Sequence, residues 1–126
     1  MMILIDHNIV TCIMQGDQYS LPFRISCRGQ PMTSEELAGV EITIGTLCKA
    51  TPDVAFNSET GMWEMPLTQA ETFALAAEPV PAQIRLLFPD GSVVGDRFGP
   101  VTVVPSLSHK VLNASQEPTE QEQEEP

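Results

Sequence analysis

Basic residues are scarce in this chain of 126 residues. Six Lys and Arg stand against seventeen Asp and Glu, for a formal net charge of −11 at pH 7. Nucleic-acid affinity comes chiefly from Lys and Arg displacing counterions from the phosphate backbone. Here Arg24, Arg28, Lys49, Arg85, Arg97 and Lys110 lie scattered. Nucleic acid is therefore disfavoured as a partner, and so is an anionic membrane surface. Long apolar runs are also missing. No stretch approaches the ~20 apolar residues of a membrane span. The opening Met1-Met2-Ile3-Leu4-Ile5-Asp6 has neither the basic flank nor the apolar length of a secretion signal. The expected setting is a reducing cytoplasm.

Cysteine is sparse and forms no paired motif. Cys12, Cys27 and Cys48 contain no CxxC, which argues against a zinc site or a disulfide framework. Each lies in an apolar or β-like stretch, so all are expected to be buried reduced thiols. The histidines, His7 and His109, lie near opposite ends and read as surface residues. No GxSxG, P-loop, GxGxxG or HExxH occurs to give a base its partners. The carboxylates read as structural. Asp17 and Asp90 sit in glycine turns, where an Asp side chain bonds its own backbone. Glu35, Glu36 and Glu71 suit the first turn of a helix. Asp53, Glu59 and Glu64 could meet across a hairpin, but the DxDxDG spacing of a calcium loop is absent. No catalytic, cofactor-binding or metal-binding residue is assigned, and no cofactor is expected.

What the chain does have is turn chemistry and two-residue alternation. Eleven Pro and eight Gly favour many short elements over long helices. In Tyr19–Cys27 the apolar Tyr19, Leu21, Phe23, Ile25 and Cys27 alternate with Ser20, Pro22, Arg24 and Ser26, predicting a half-buried strand with the odd positions inward. Further strands are predicted at Met2–Ile5, Ile9–Met14, Val40–Ile44, Ala82–Phe88, Ser92–Phe98 and Val101–Val104. Val54–Phe56 and Met62–Met65 should pair across Asn57-Ser58-Glu59-Thr60-Gly61, with Gly61 supplying a positive φ. Pro89-Asp90-Gly91 should turn a second hairpin. Thr33 with Glu36, and Thr68 with Glu71, have capping-box spacing, predicting two short helical turns.

Closely spaced short strands of this kind point to an all-β, antiparallel β-sandwich over residues 1–112. Ser106–Leu112 either adds a helical turn or leads out of the domain. Residues 113–126 are almost devoid of apolar side chains and predict a disordered acidic tail. Trp63 and Tyr19 are the candidate interface residues. For Trp63 the favoured reading is a core position between sheets, since its strand alternates, with an exposed sugar-stacking or interface aromatic as the sharper one.

The series Gly16-Asp17, the alternating Tyr19–Cys27, Val40-Glu41-Ile42-Thr43-Ile44-Gly45, Glu59-Thr60-Gly61-Met62-Trp63, Pro66-Leu67-Thr68-Gln69-Ala70-Glu71-Thr72 and Ile84-Arg85-Leu86-Leu87-Phe88-Pro89-Asp90-Gly91-Ser92-Val93-Val94 resembles the N-terminal immunoglobulin-like domain of phage baseplate upper proteins and related small tail-associated phage proteins. The resemblance spans most of residues 8–112. It implies an immunoglobulin-like fold and a non-catalytic structural or assembly role in a bacteriophage tail or baseplate. The implied partners are other phage tail or baseplate proteins, with homo-oligomerisation as an option. The implied location is the bacterial host cytoplasm and then the virion. The chain departs from that pattern in lacking the long helical, receptor-facing extensions and in carrying an acidic tail. The competing reading is a monomeric binding module, either for carbohydrate or as a phage-encoded inhibitor of a host protein.

Overall fold

The computed structural model describes residues 5–113, and within them the chain is mostly β. One five-stranded sheet holds β2 (Cys12–Met14), β6 (Gly39–Ile44), β7 (Leu47–Ala50), β10 (Pro79–Leu87) and β11 (Val93–Val104) in the order β2-β11-β10-β6-β7. A second sheet runs β1-β4-β5, from β1 (Ile5–His7), β4 (Ile25–Cys27) and β5 (Gln30–Pro31). The third runs β3-β9-β8, from β3 (Tyr19–Phe23), β8 (Ala55–Asn57) and β9 (Met62–Leu67). The short helix α1 (Gln69–Phe73) links β9 to β10.

Alternation explains why these segments bury what they bury. Even positions of β6 and β10 turn inward, so Val40, Ile42, Ile44, Val80, Ala82, Ile84 and Leu86 are all buried. From the two smaller sheets Leu21, Phe23, Ile25, Trp63, Met65 and Leu67 join them in one core. Each such side chain removed from water contributes about 1.5–3 kcal/mol, which is what holds the sheets together.

Both predicted hairpins form, β8 with β9 and β10 with β11, in antiparallel register. The predicted strand at 19–27 divides. Leu21, Phe23, Ile25 and Cys27 face inward as expected, but Tyr19 is 40% exposed. Arg24 breaks the run, because its N–H donates to the Asn8 side chain at 2.6 Å instead of to a neighbouring strand. β3 then pairs β9, while β4 pairs β1 and β5. Of the run Ile9–Met14 only Cys12–Met14 is strand, and it pairs β11 in parallel, so the expectation of a wholly antiparallel fold is corrected. The two last predicted strands are one, β11, with a register shift where Gly99-Pro100 lies opposite Pro81. β7 was not anticipated. Its inward Lys49 hides the alternation, since a long stem buries while its ammonium finds partners.

The helical turns differ from each other. Thr68 and Glu71 make the full capping box of α1. At Thr33 only half of the box forms: the Thr33 N–H donates to the Glu36 carboxylate, but its hydroxyl accepts the Glu35 N–H, and the single turn is not continued into a helix. Residues 105–113 form neither helix nor strand, and the Gln69 side chain accepts the Leu112 N–H at 2.9 Å. The predicted tail beyond 113 and the start of the predicted first strand lie outside the described residues.

Polar contacts tie α1 to both sides of the fold. Lys49 Nζ reaches the Glu71 carboxylate at 2.8 Å and donates to the Pro66 carbonyl at 2.7 Å. Thr72 is fully buried, and its hydroxyl accepts the Gly16 N–H and donates to the Asp17 carbonyl, each at 2.9 Å. Thr72→Val keeps the shape and strands both backbone groups. We expect a loss of about 2 kcal/mol in urea unfolding, since an orphaned buried polar group costs its desolvation. An unchanged midpoint would show that water replaces the hydroxyl.

Candidate contact surface

Trp63 and Tyr19 end up in opposite environments. Trp63 alternates with Met65 and Leu67 on the inward side of β9 and is 3% exposed. Its indole N–H donates to the Met32 carbonyl at 2.9 Å, and its ring meets Phe56 edge-on at 5.4 Å. A tryptophan with its polar atom satisfied inside the fold is a core residue. The core reading of Trp63 holds, and the interface alternative is corrected, because almost no ring surface is left to offer a partner. Tyr19 opens β3 with its ring partly in solvent. Burial first, then the nearby Asp17 and Cys12, push its phenol pKa up, so it remains a hydrogen-bond donor at neutral pH.

An apolar strip lies elsewhere, on β2 and its neighbour β11. The parallel register sets Cys12 against Thr102, Ile13 against Val103 and Met14 against Val104. Ile13 and Val103 turn inward and are buried. The opposite face therefore carries Met14, 43% exposed, next to Val104, 38% exposed, with Val10 just before the strand at 37%. Cys12 is exposed on this face and Cys48 is exposed on β7. The expectation of three buried thiols holds for Cys27 alone, since the other two sit on the outward side of their strands. Burial raises the Cys27 thiol pKa, with Asp6 adding to it.

The strip offers side chains and keeps its backbone closed. The Met14 N–H donates to the Asp17 carboxylate, and its carbonyl accepts the Asp17 N–H, both at 3.0 Å. That is an edge strand guarded against pairing. The strip lay outside what sequence reasoning assigned. The alternation in Ile9–Met14 was visible, but nothing local signals that Met14 would lie beside Val104.

On the outer face of the five-stranded sheet lies an open groove of about 290 Å³. Its sides include Leu87, Val93 and the Arg85–Glu41 ion pair, which closes at 2.8 Å. Gly39 and Ala50 leave the space between them.

Three of the carboxylates singled out above are held by neighbouring groups. Asp90 accepts the Ser92 N–H at 2.8 Å and its hydroxyl at 2.6 Å, which lowers the Asp90 pKa. The hydrogen bond from Lys49 does most to lower that of Glu71. Glu64 accepts from the Asn57 amide at 3.2 Å, while Asp53 and Glu59 stay exposed. Among the described residues no group of three or more His, Cys, Asp or Glu could hold a metal ion.

His109 is exposed, with its ring 5.3 Å from Phe73, but His7 is not the surface residue expected. Its ring is half-buried, packs edge-on against Phe98 at 4.5 Å, and its Nδ1 accepts the Ile9 N–H at 3.3 Å. Burial lowers its pKa, and the nearby Asp96 and Asp6 counteract this in part.

Comparison with protein-family models, curated proteins and solved structures finds no match to the chain.

The His7 shift has a definite sign. The folded chain holds this ring neutral to a lower pH than the unfolded chain does. Stability is then fully present above the ordinary value of 6.5 and is lost as pH falls through that value towards the folded one. We expect His7→Gln to flatten the stability–pH curve between about pH 7 and pH 5 in chemical denaturation. Parallel curves for the two proteins would show that His7 does not titrate with folding.

Proposed function

We propose that the chain is a non-catalytic structural or assembly protein of a bacteriophage tail or baseplate, working through protein–protein contacts as an immunoglobulin-like β-sandwich. The observation that carries this reading is the exposed apolar strip of Met14 and Val104, set side by side on β2 and β11, with Val10 just before it. The Met14 backbone N–H and C=O are both taken by Asp17, so the strip offers side chains. Contact surfaces are enriched in Met.

The strand order supports the immunoglobulin-like part of the proposal. The first strand segment pairs within one layer and the second joins the other layer at its last strand. The five-stranded sheet then continues through the penultimate strand to the central hairpin, matching the larger sheet of a variable-type domain. The motif series that resembles baseplate proteins falls on these same elements: the Asp90 turn, the capped α1 and the hairpin before Trp63. In this proposal the protein is made in the bacterial host cytoplasm and then built into the virion.

Mass spectrometry of particles purified from a host that produces the chain tests this directly. We expect its peptides at stoichiometric levels in the particles. The double substitution Met14→Gln and Val104→Thr should abolish incorporation while leaving the unfolding midpoint nearly unchanged, because both side chains are partly on the surface and neither change brings like charges together. Particles free of the chain would sink the proposal, and incorporation of the double variant would remove the strip from it.

A further inference from the structure

We propose that a second copy of this chain pairs, antiparallel, with the upper half of β11, residues Val93–Phe98, so that the five-stranded sheet continues across a twofold axis at Gly95. This deepens the assembly reading, on which it rests, by naming one partner and one edge.

The edge is bare because of how the first strand divides. β2 covers β11 only from Thr102 to Val104. β1, which could have run beside the rest, pairs with β4 instead. Along Val93–Phe98, β11 therefore has β10 on one side and no partner strand on the other among the described residues.

The backbone direction follows from the hydrogen bonds at the two ends of β10. The Phe88 N–H donates to the Ser92 carbonyl at 2.9 Å, while the Gly45 N–H donates to the Pro81 carbonyl at 2.8 Å. Even residues of β10 thus bond β11 and odd residues bond β6. In an antiparallel ladder this leaves the N–H and C=O of Val93, Gly95 and Arg97 pointing outward. These are three successive donor–acceptor positions on one strand with no proline among them.

Three other edges carry a guard. Asp17 takes both backbone groups of Met14 on β2. The Val54 N–H takes the Ala50 carbonyl on β7. Pro22 lies within β3, where it removes a donor. An unguarded edge of this length is a ready template for another strand.

Self-pairing has one register that uses all three outward positions without opposing like charges. With Gly95 facing its own copy, Val93 lies opposite Arg97 of the second copy, and Val94 lies opposite Asp96. Centring on Asp96 or Arg97 instead would set identical charges face to face. The glycine on the axis has no side chain to obstruct its twin. Val93, 55% exposed, would be covered on the outer face, next to the groove it helps to line. A closed twofold of this kind ends at the dimer and does not propagate.

Sedimentation equilibrium of the full chain, at about 0.15 M salt to screen its net negative charge, reads the outcome. We expect the mass to rise with concentration to twice the 13.7 kDa of one chain. Val93→Lys would place a cation opposite Arg97 at two symmetric points and should weaken the dimer by about threefold to tenfold. Val93→Glu would form ion pairs there and should leave the dimer as tight or tighter. Arg97→Pro removes an outward N–H that the fold itself does not use and should abolish pairing, with circular dichroism checking that it folds. A monomer up to about 1 mM would overturn the proposal, as would equal weakening by Val93→Lys and Val93→Glu. If particles contain the chain while it remains monomeric alone, edge pairing fails and the assembly reading stands. If it dimerises as described but is missing from particles, the reverse holds.

Discussion

The chain changes sheets between His7 and Cys12, and most of what is distinctive about the molecule depends on that crossing. At residue 8 the Asn side chain takes the Arg24 N–H, where a neighbouring strand would otherwise have been. Before it, β1 belongs to the sheet of β4. After it, β2 belongs to the sheet of β11. The crossing has two consequences at the surface. The lower half of β11 receives a parallel partner whose outward side chains form the Met14–Val104 strip. The upper half receives none, and its backbone groups at Val93, Gly95 and Arg97 face outward.

A second organising feature is the polar collar around α1. The helix is too short to be stable alone, since fewer than ~12 residues are marginal in water. It persists because its ends and sides are tied into the rest. Thr68 and Glu71 close its first turn, Lys49 reaches it from β7, and Thr72 holds the turn before β3. Lys49 is only 13% exposed in its side chain, so the Glu71 carboxylate and the Pro66 carbonyl supply what water would have. Removing either partner would leave a charge uncompensated in a poor solvent. The collar is also where the segment after β11 returns, through the Gln69 side chain to Leu112.

Several acidic side chains of the described domain serve as caps, turns and pair partners: Asp17, Glu36, Glu41, Glu71 and Asp90 each have a specific bond. The apolar side chains left outside are not scattered evenly. Met14 lies beside Val104 on one sheet flank, and Leu87 beside Val93 at the groove on the outer face.

The sequence by itself determined the β class, both hairpins, the capping box of α1 and the inward set Leu21, Phe23, Ile25 and Cys27. Each of these is a local matter: alternation chooses a face, glycine permits a turn, and Thr68 meets Glu71 one helical turn away. It did not determine the exposure of Tyr19 or of Cys12 and Cys48, or the strand β7. Nor did it show that Met14 would lie beside Val104, ninety positions away by their register. Which strand becomes whose neighbour is set by how the apolar faces of whole sheets close over one core. A strand's own residues show which side is wet only once its neighbours are in place. Pairing across the chain is a global solution to burial, so the exposed pair Met14 and Val104 belongs to the tertiary structure alone.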